Sequence, residues 1–463
     1  MSLPWTKFQD FYLRLGFLKV LVAVLNKERT SAANELIIRR LLTPLFEVAA
    51  SHSPKLWERV HEKYPRRADS SKTTVAESLI WHGECPSLLF AITKPTAYKI
   101  LDWARNVGLV GRGNQITERG ILLRYLLPQE EVGSFLAGDA LAWNPFVLSM
   151  RERVFFLYHL CEIDRVTADV IRELGALEEG AILDLRDAGR VVCGRLHGVL
   201  DAVEPDVRPF ELPAFRIARD LAATMAQEME MHEYVTARGF SATKLRPRSR
   251  ALISAARHGQ RKQTKNTDHQ TVPRLEQLCD LDFVRKQGLG FEHEDEPRRR
   301  WRWAPTSQCR LWCQITGDRA VDPSFLWSRF ARTARYSLGN GKRGREIAVA
   351  SEIARSAWEA YRVVRRPVGH TPLESVAIYA MVDAVASGAE LEMNRVHGLM
   401  LCLKRLSVSS EYAQFAGGNR LDEMFIRLRD GFVETVGHAV EAGVLPFDVE
   451  SASADRGGQP TPA

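Results

Sequence analysis

Thr93-Lys94-Pro95-Thr96-Ala97-Tyr98-Lys99-Ile100-Leu101-Asp102-Trp103-Ala104-Arg105-Asn106-Val107-Gly108-Leu109-Val110 is the stretch on which the fold turns. Pro95 opens a helix, and Ala97, Ile100, Leu101, Ala104 and Val107 make one buried stripe at helical spacing. Gly108 stops it. Lys94, Thr96, Lys99 and Arg105 stay off the stripe. Leu109-Val110 then reads as a short strand and Gly111-Arg112-Gly113-Asn114 as a turn. Gln115-Ile116-Thr117 is the return strand, and a closing helix starts at Thr117-Glu118-Arg119-Gly120. Upstream, Val75–Trp81 reads as a short helix and Pro86–Ile92 as a second apolar segment.

This order resembles the winged helix-turn-helix family. The likeness lies in "Leu-x-x-Ala-x-x-x-Gly-Leu-Val", a short basic turn, then "Ile-Thr-Glu-Arg-Gly-Ile-Leu". It covers residues 75–127. The resemblance implies a recognition helix that enters a major groove and a two-stranded wing that carries cations to phosphates or a minor groove. Many such folds bind proteins instead, so it speaks more to fold than to function.

A second copy of the plan reads from Leu252 to Trp312. In Thr271-Val272-Pro273-Arg274-Leu275-Glu276-Gln277-Leu278-Cys279, Thr271 is placed to cap a helix and Pro273 sits at its first position. Leu281-Asp282-Phe283-Val284 replaces the Gly-Leu-Val exit, with an aspartate where glycine is usual. A strand over Phe283–Lys286 leads into a long turn, and Arg300-Trp301-Arg302-Trp303-Ala304-Pro305-Thr306 returns. Pro305 suits only an edge or a strand end. Alternation puts Arg300 and Arg302 on one face, and Trp301 and Trp303 on the other. The acids Glu292, Glu294, Asp295 and Glu296 are alternative partners for those arginines.

Charge agrees with this placement. The 463 residues carry a net charge of +7. Residues 241–310 hold 16 Lys and Arg against eight acids, a net of +8, which leaves the rest at −1. A local basic patch is the usual footprint for a polyanion, although a solvated linker has the same composition. Before the second helix, Arg257, Arg261, Lys262 and Lys265 lie in a polar tract fit for a basic arm.

Hydrophobic residues at 45% and charged residues at 26% exclude fibrous and wholly disordered classes. Seven scattered cysteines fit reduced thiols rather than a disulfide framework. Phe11–Leu25 is the most apolar stretch, but Arg14 and Lys19 interrupt it, so no membrane span is expected. The expected protein is cytoplasmic and nucleoid-associated.

Helical periodicity dominates, as in Phe17–Leu25, Val154–Leu160, Ile217–Met225 and Ile347–Val363. Thr371-Pro372-Leu373-Glu374 reads as a capping box opening a helix over Pro372–Ser387. Breaks fall at His52–Lys72, Gln129–Gly133 and Ser241–Asn266, and Ser451–Ala463 reads as a disordered tail. Arg151–Ile163 and Thr167–Leu174 suggest a weak third helix pair, but Ala181–Leu200 fits no wing.

Catalytic and metal signals are weak. Gly339–Gly344 matches G-x-G-x-x-G without the strand–turn–helix context a dinucleotide needs. Cys309 and Cys313 sit four apart on an expected helix, too few ligands for zinc. Glu228, His232 and Glu233 read as a solvated helix face. No enzyme, cofactor or metal is expected.

The expectation is therefore a mainly α chain with two winged helix-turn-helix modules and short β-hairpin wings, embedded in helical-bundle segments. Its parts would be 1–70 helical, 71–130 first winged helix, 131–240 connector, 241–320 second winged helix, 321–450 helical and 451–463 tail. It would bind double-stranded DNA without catalysis, as a transcriptional regulator does. Phosphates would fall to Lys99, Arg105, Arg112, Arg298, Arg299, Arg300 and Arg302, assisted by Arg257, Arg261, Lys262 and Lys265, with Lys94 a further DNA contact. Thr96, Lys99, Arg274 and Gln277 would read bases. The alternative is an adaptor subunit of a larger bacterial complex, such as a restriction or antiphage system, whose winged helices contact protein. The N- or C-terminal helical parts would dock that partner.

Overall fold

The computed structural model describes residues 14–25, 36–37, 41, 76–82, 85–92, 94–139, 142–237, 265–287, 302–316, 343–366, 369–386, 412–417 and 424–441. These residues are mainly helical. In chain order they form α1 (Leu15–Val24), β1 (Ala76–His82), β2 (Cys85–Ile92), α2 (Lys94–Asn106), α3 (Glu118–Leu126), α4 (Gln129–Leu136), α5 (Met150–Ile163) and α6 (Arg165–Gly175). There follow β3 (Leu183–Asp184), α7 (Leu185–Val203), α8 (Leu212–Ala237), α9 (Lys265–Asp280), β4 (Val284–Gln287), β5 (Arg302–Pro305) and α10 (Ser307–Thr316). The last are α11 (Arg343–Val364), β6 (Thr371–Pro372), α12 (Leu373–Ala386), β7 (Ala413–Gly417), β8 (Met424–Leu428) and α13 (Phe432–Glu441). The buried apolar side chains form one continuous cluster. No described helix is long and apolar enough to cross a membrane.

The helix α2 and its exit match the sequence reading. Gly108 has φ +77°, a left-handed conformation in which glycine meets no Cβ penalty. The Leu109 amide then reaches back to the Ala104 carbonyl. Val110 and Ile116 bridge, the Gly111 amide donates to Gln115, and Thr117 caps α3 by accepting from the Gly120 amide. The strand pairing here is a single bridge.

The same closure recurs in the second copy. Asp282 takes φ +64°, so a residue with a Cβ fills the glycine position. The Phe283 amide reaches back to Leu278, as Leu109 does to Ala104. The Thr306 amide donates to Phe283, as Thr117 does to Leu109, at 3.0 and 3.1 Å. Thr306 Oγ1 bonds the Asp282 carbonyl and caps the Cys309 amide, as Thr117 Oγ1 does for Gly108 and Gly120.

The hydrogen bond that closes the hairpin recurs near the C-terminus. The Arg429 amide donates to Tyr412 at 2.8 Å, closing β7 and β8. Two three-stranded antiparallel sheets share one plan, with orders β3-β5-β4 and β6-β8-β7. Their registers agree. Trp303 pairs with Leu183 on one side and Lys286 on the other, and Ile426 pairs with Thr371 and Phe415 in the same way. In each, a helix starts at the residue after the two-residue strand, at Leu185 or Leu373.

Several expectations are corrected. Val75–Trp81 is not helical: β1 pairs antiparallel with β2, from Ala76↔Ile92 to His82↔Cys85. Residues 129–133 are helix, not a break. The helix α9 begins at Lys265, and Pro273 lies inside it rather than at its start. Its true start is held by Glu228 of α8, whose carboxylate accepts the Thr267 amide at 2.9 Å and the Thr267 hydroxyl at 2.6 Å. Glu228 is 4% exposed, so its reading as part of a solvated face is corrected too. Thr371 lies in β6, where its hydroxyl accepts the Arg366 amide, and the helix starts at Leu373. Leu183–Asp184, inside the block that fitted no wing, is a strand of the β5 sheet. Residues 52–72 and 451–463 lie outside the described residues.

Arg14 and Lys19, which interrupt the apolar stretch, are both 0% exposed inside protein. Arg14 pairs with Glu276 and Asp280 at the end of α9, and Lys19 pairs with Glu152 at 2.9 Å. Glu152 also closes a capping box with Ser149 that starts α5.

Candidate nucleic-acid interface

The β4–β5 hairpin follows period-two alternation. Val284 and Lys286 face inward with Trp303 and Pro305, while Arg285 and Arg302 are exposed. Arg285 is registered with Ala304 and Gln287 with Arg302, so the two arginines are diagonal neighbours on the outer face. Pro305 ends its strand beyond the last β3 pairing, as expected for a residue that cannot donate. On the other flank Asp184 is registered with Arg302, and its carboxylate accepts the Arg186 and Asp187 amides.

The inner face fixes the hairpin. Trp303 is 0% exposed, and Lys286 Nζ sits 5.8 Å from its ring centroid while pairing with Glu276. Burial lowers the Lys286 pKa and Glu276 opposes that shift. Burial would raise the Glu276 pKa, but Lys286 and Arg14 outweigh it and hold the carboxyl below its ordinary range. The inner cations are therefore committed to structure, and the outer ones face solvent.

The expected site residues are distributed as follows. Arg302 is exposed on β5. Arg298, Arg299 and Arg300 immediately precede it in sequence and, with Arg257, Arg261 and Lys262, lie outside the described residues. Lys265 opens α9. Lys94 and Thr96 lie in the first turn of α2, Lys99 is half-buried and Arg112 is exposed in the turn. Arg105 pairs with Asp102 and donates to Asn114 Oδ1, which ties the end of α2 to the turn at Asn114.

Two of the expected base readers, Arg274 and Gln277, are buried. Arg274 is 1% exposed and held by Asp164 at 3.0 Å and by the Gln270 carbonyl at 2.8 Å. Gln277 is 0% exposed. Arg274 turns toward Asp164 at the α5–α6 junction, and Gln277 is enclosed on a helix packed against α7 and α8. Arg285 joins Arg302 on the exposed face. The alternation of Val284-Arg285-Lys286 within an already expected strand was its signal.

Among the described residues no group of three or more His, Cys, Asp or Glu is placed to hold a metal. The G-x-G-x-x-G stretch lies outside them up to Lys342, and α11 starts at Arg343. No protein-family model, curated protein or solved structure matches the chain.

Proposed function

We propose that this chain binds double-stranded DNA through the outer face of the β4–β5 hairpin, in a protein built from repeated winged-helix units. The carrying observation is that hairpin: Arg285 and Arg302 point outward, continuous in sequence with Arg298–Arg300, on a base locked by Trp303. The shared strand order and register support the unit as one that starts near α6, includes α7 and α9, and recurs from α11 to α13. Contact with phosphate through exposed arginines positions a protein without reading sequence. Burial of Arg274 and Gln277 removes sequence readout by α9 from the proposal.

That same burial favours a second reading, in which the units are docking modules of an adaptor and the arginines contact an acidic protein face. Fluorescence anisotropy with a random duplex of about 30 base pairs, titrated over salt, separates the two. Binding is expected, with log K falling against log salt by about 0.9 per phosphate contacted. Arg285→Ala with Arg302→Ala is expected to weaken binding on every sequence and to flatten the slope by about two contacts' worth. Arg299→Ala with Arg300→Ala should do the same. Absence of binding at low salt, or wild-type affinity in the fourfold variant, overturns the DNA reading.

A further inference from the structure

Helix α10 carries Cys309 and Cys313 one turn apart, on the side packed against α6. Cys309 is buried and Cys313 is half-exposed. Their sulfurs converge on one acceptor: Cys309 Sγ lies 3.5 Å and Cys313 Sγ 3.4 Å from the Ile171 carbonyl oxygen. Cys313 Sγ also lies over the end of α6, where a Cβ on Gly175 would stand 2.1 Å from it. Only glycine leaves that sulfur room, and the Gly175 amide then donates to it.

The remaining described thiols are different. Burial pushes Cys161 up to about 12 and also raises Cys193 and Cys279. Cys313 moves down through its neighbour Cys309; burial opposes this, and Gly175 and Arg172 reinforce it. Two thiols that meet at one carbonyl, one of them half-exposed, have the makings of an oxidisable pair.

We propose that Cys313 and Cys309 are a thiol pair that hydroperoxides oxidise to a disulfide within α10. The Cys313 thiolate attacks one peroxide oxygen. The S–O bond forms as the O–O bond breaks, an alkoxide or hydroxide leaves, and the sulfur is oxidised to a sulfenic acid. Cys309 then attacks that sulfur. The S–S bond forms, the S–O bond breaks, and the departing hydroxide takes the Cys309 proton and leaves as water.

Helix geometry permits the bridge at a cost. Residues four apart have Cα atoms about 6 Å apart, within the span a disulfide accepts. Their Cβ atoms, about 5–6 Å apart, must close to about 4 Å. The bridge therefore distorts α10 and belongs to the readily reduced kind. Thr306, which caps the Cys309 amide, also bonds the Asp282 and Phe283 carbonyls, so the distortion bears on the base of the β4–β5 hairpin.

The test treats the full chain with hydrogen peroxide and maps its tryptic peptides. Cleavage after Arg302, Arg310 and Arg319 puts the two cysteines on separate peptides, so the bridge appears as a linked pair that a thiol reductant dissolves. Cys313 is expected to alkylate about ten-fold faster than Cys193 in the untreated chain. In Cys309→Ser the oxidation should stop at a Cys313 sulfenic acid that dimedone traps. Cys313→Ser should leave Cys309 unmodified. Equal alkylation of Cys313 and Cys193, or over-oxidation of wild-type Cys313 without the linked pair, overturns the proposal. Both of those comparisons use wild-type protein and do not depend on how the variants fold.

Discussion

Asp280→Ala is expected to cost about 3–5 kcal/mol of unfolding free energy, read as a lower urea midpoint at unchanged slope. Asp280 is 1% exposed and accepts Arg14 Nε at 2.8 Å on both carboxylate oxygens. It also accepts the Leu15 amide at 3.0 Å, so it caps α1 from another helix. Arg14 has a second partner in Glu276 at 2.7 Å, and Glu276 in turn holds Lys286. Two cations and two anions thus balance in a space closed to water. Burial alone would lower the Arg14 pKa, and Asp280 and Glu276 reverse that, so the guanidinium stays charged. Removing Asp280 leaves a buried charge short of a partner, which is the costly way to break such a pair. Arg14→Leu with Asp280→Leu removes both charges and keeps the Glu276–Lys286 pair neutral. That double variant should recover most of the loss. A single-variant cost below about 1 kcal/mol would mean the pair is not buried in solution.

The network also shows where sequence reasoning stops. Arg14 and Asp280 are 266 positions apart, and Arg274 and Asp164 are 110 apart. No local pattern pairs them, so Arg274 reads as a surface cation when it is a core one. Period and turn chemistry carry further. The exit at Gly108, the turn at Gly111–Asn114, the Thr117 cap and the inward Trp303 were all legible, because each follows from backbone sterics or alternation within a few residues. Asp282 was legible only as a puzzle, since an aspartate with φ +64° needs its surroundings to hold it. The strands β3 and β6 are two residues long, too short to alternate, and they exist because β5 and β8 supply partners. Period-two alternation places both Arg285 and Arg302 on the exposed face.

Between pH 7 and pH 5 the unfolding free energy is expected to fall by about 2 kcal/mol through His159 alone. The ring is 0% exposed, edge-on to Phe155 at 4.3 Å and to Tyr158 at 5.0 Å. Burial lowers its pKa from the ordinary 6.5 to about 4, against the pull of Glu162, whose Oε2 lies 3.5 Å from Nδ1. Arg119, paired with Glu162 at 3.0 Å, adds to the lowering. As pH falls through 6.5 the unfolded chain takes up a proton that the folded chain refuses until about 4, so stability drops across that interval. Glu162 does not share the window. Burial would raise its pKa, but His159 and Arg119 hold it at about 2, so its contribution is lost only below 4.5. His159→Phe keeps an aromatic ring among Phe155 and Tyr158 and removes the proton. Urea unfolding at half-unit steps from pH 7 to pH 5 should show the wild-type slope flattened in that variant. An equal slope in both proteins would place the acid sensitivity elsewhere and leave His159 without a part in it.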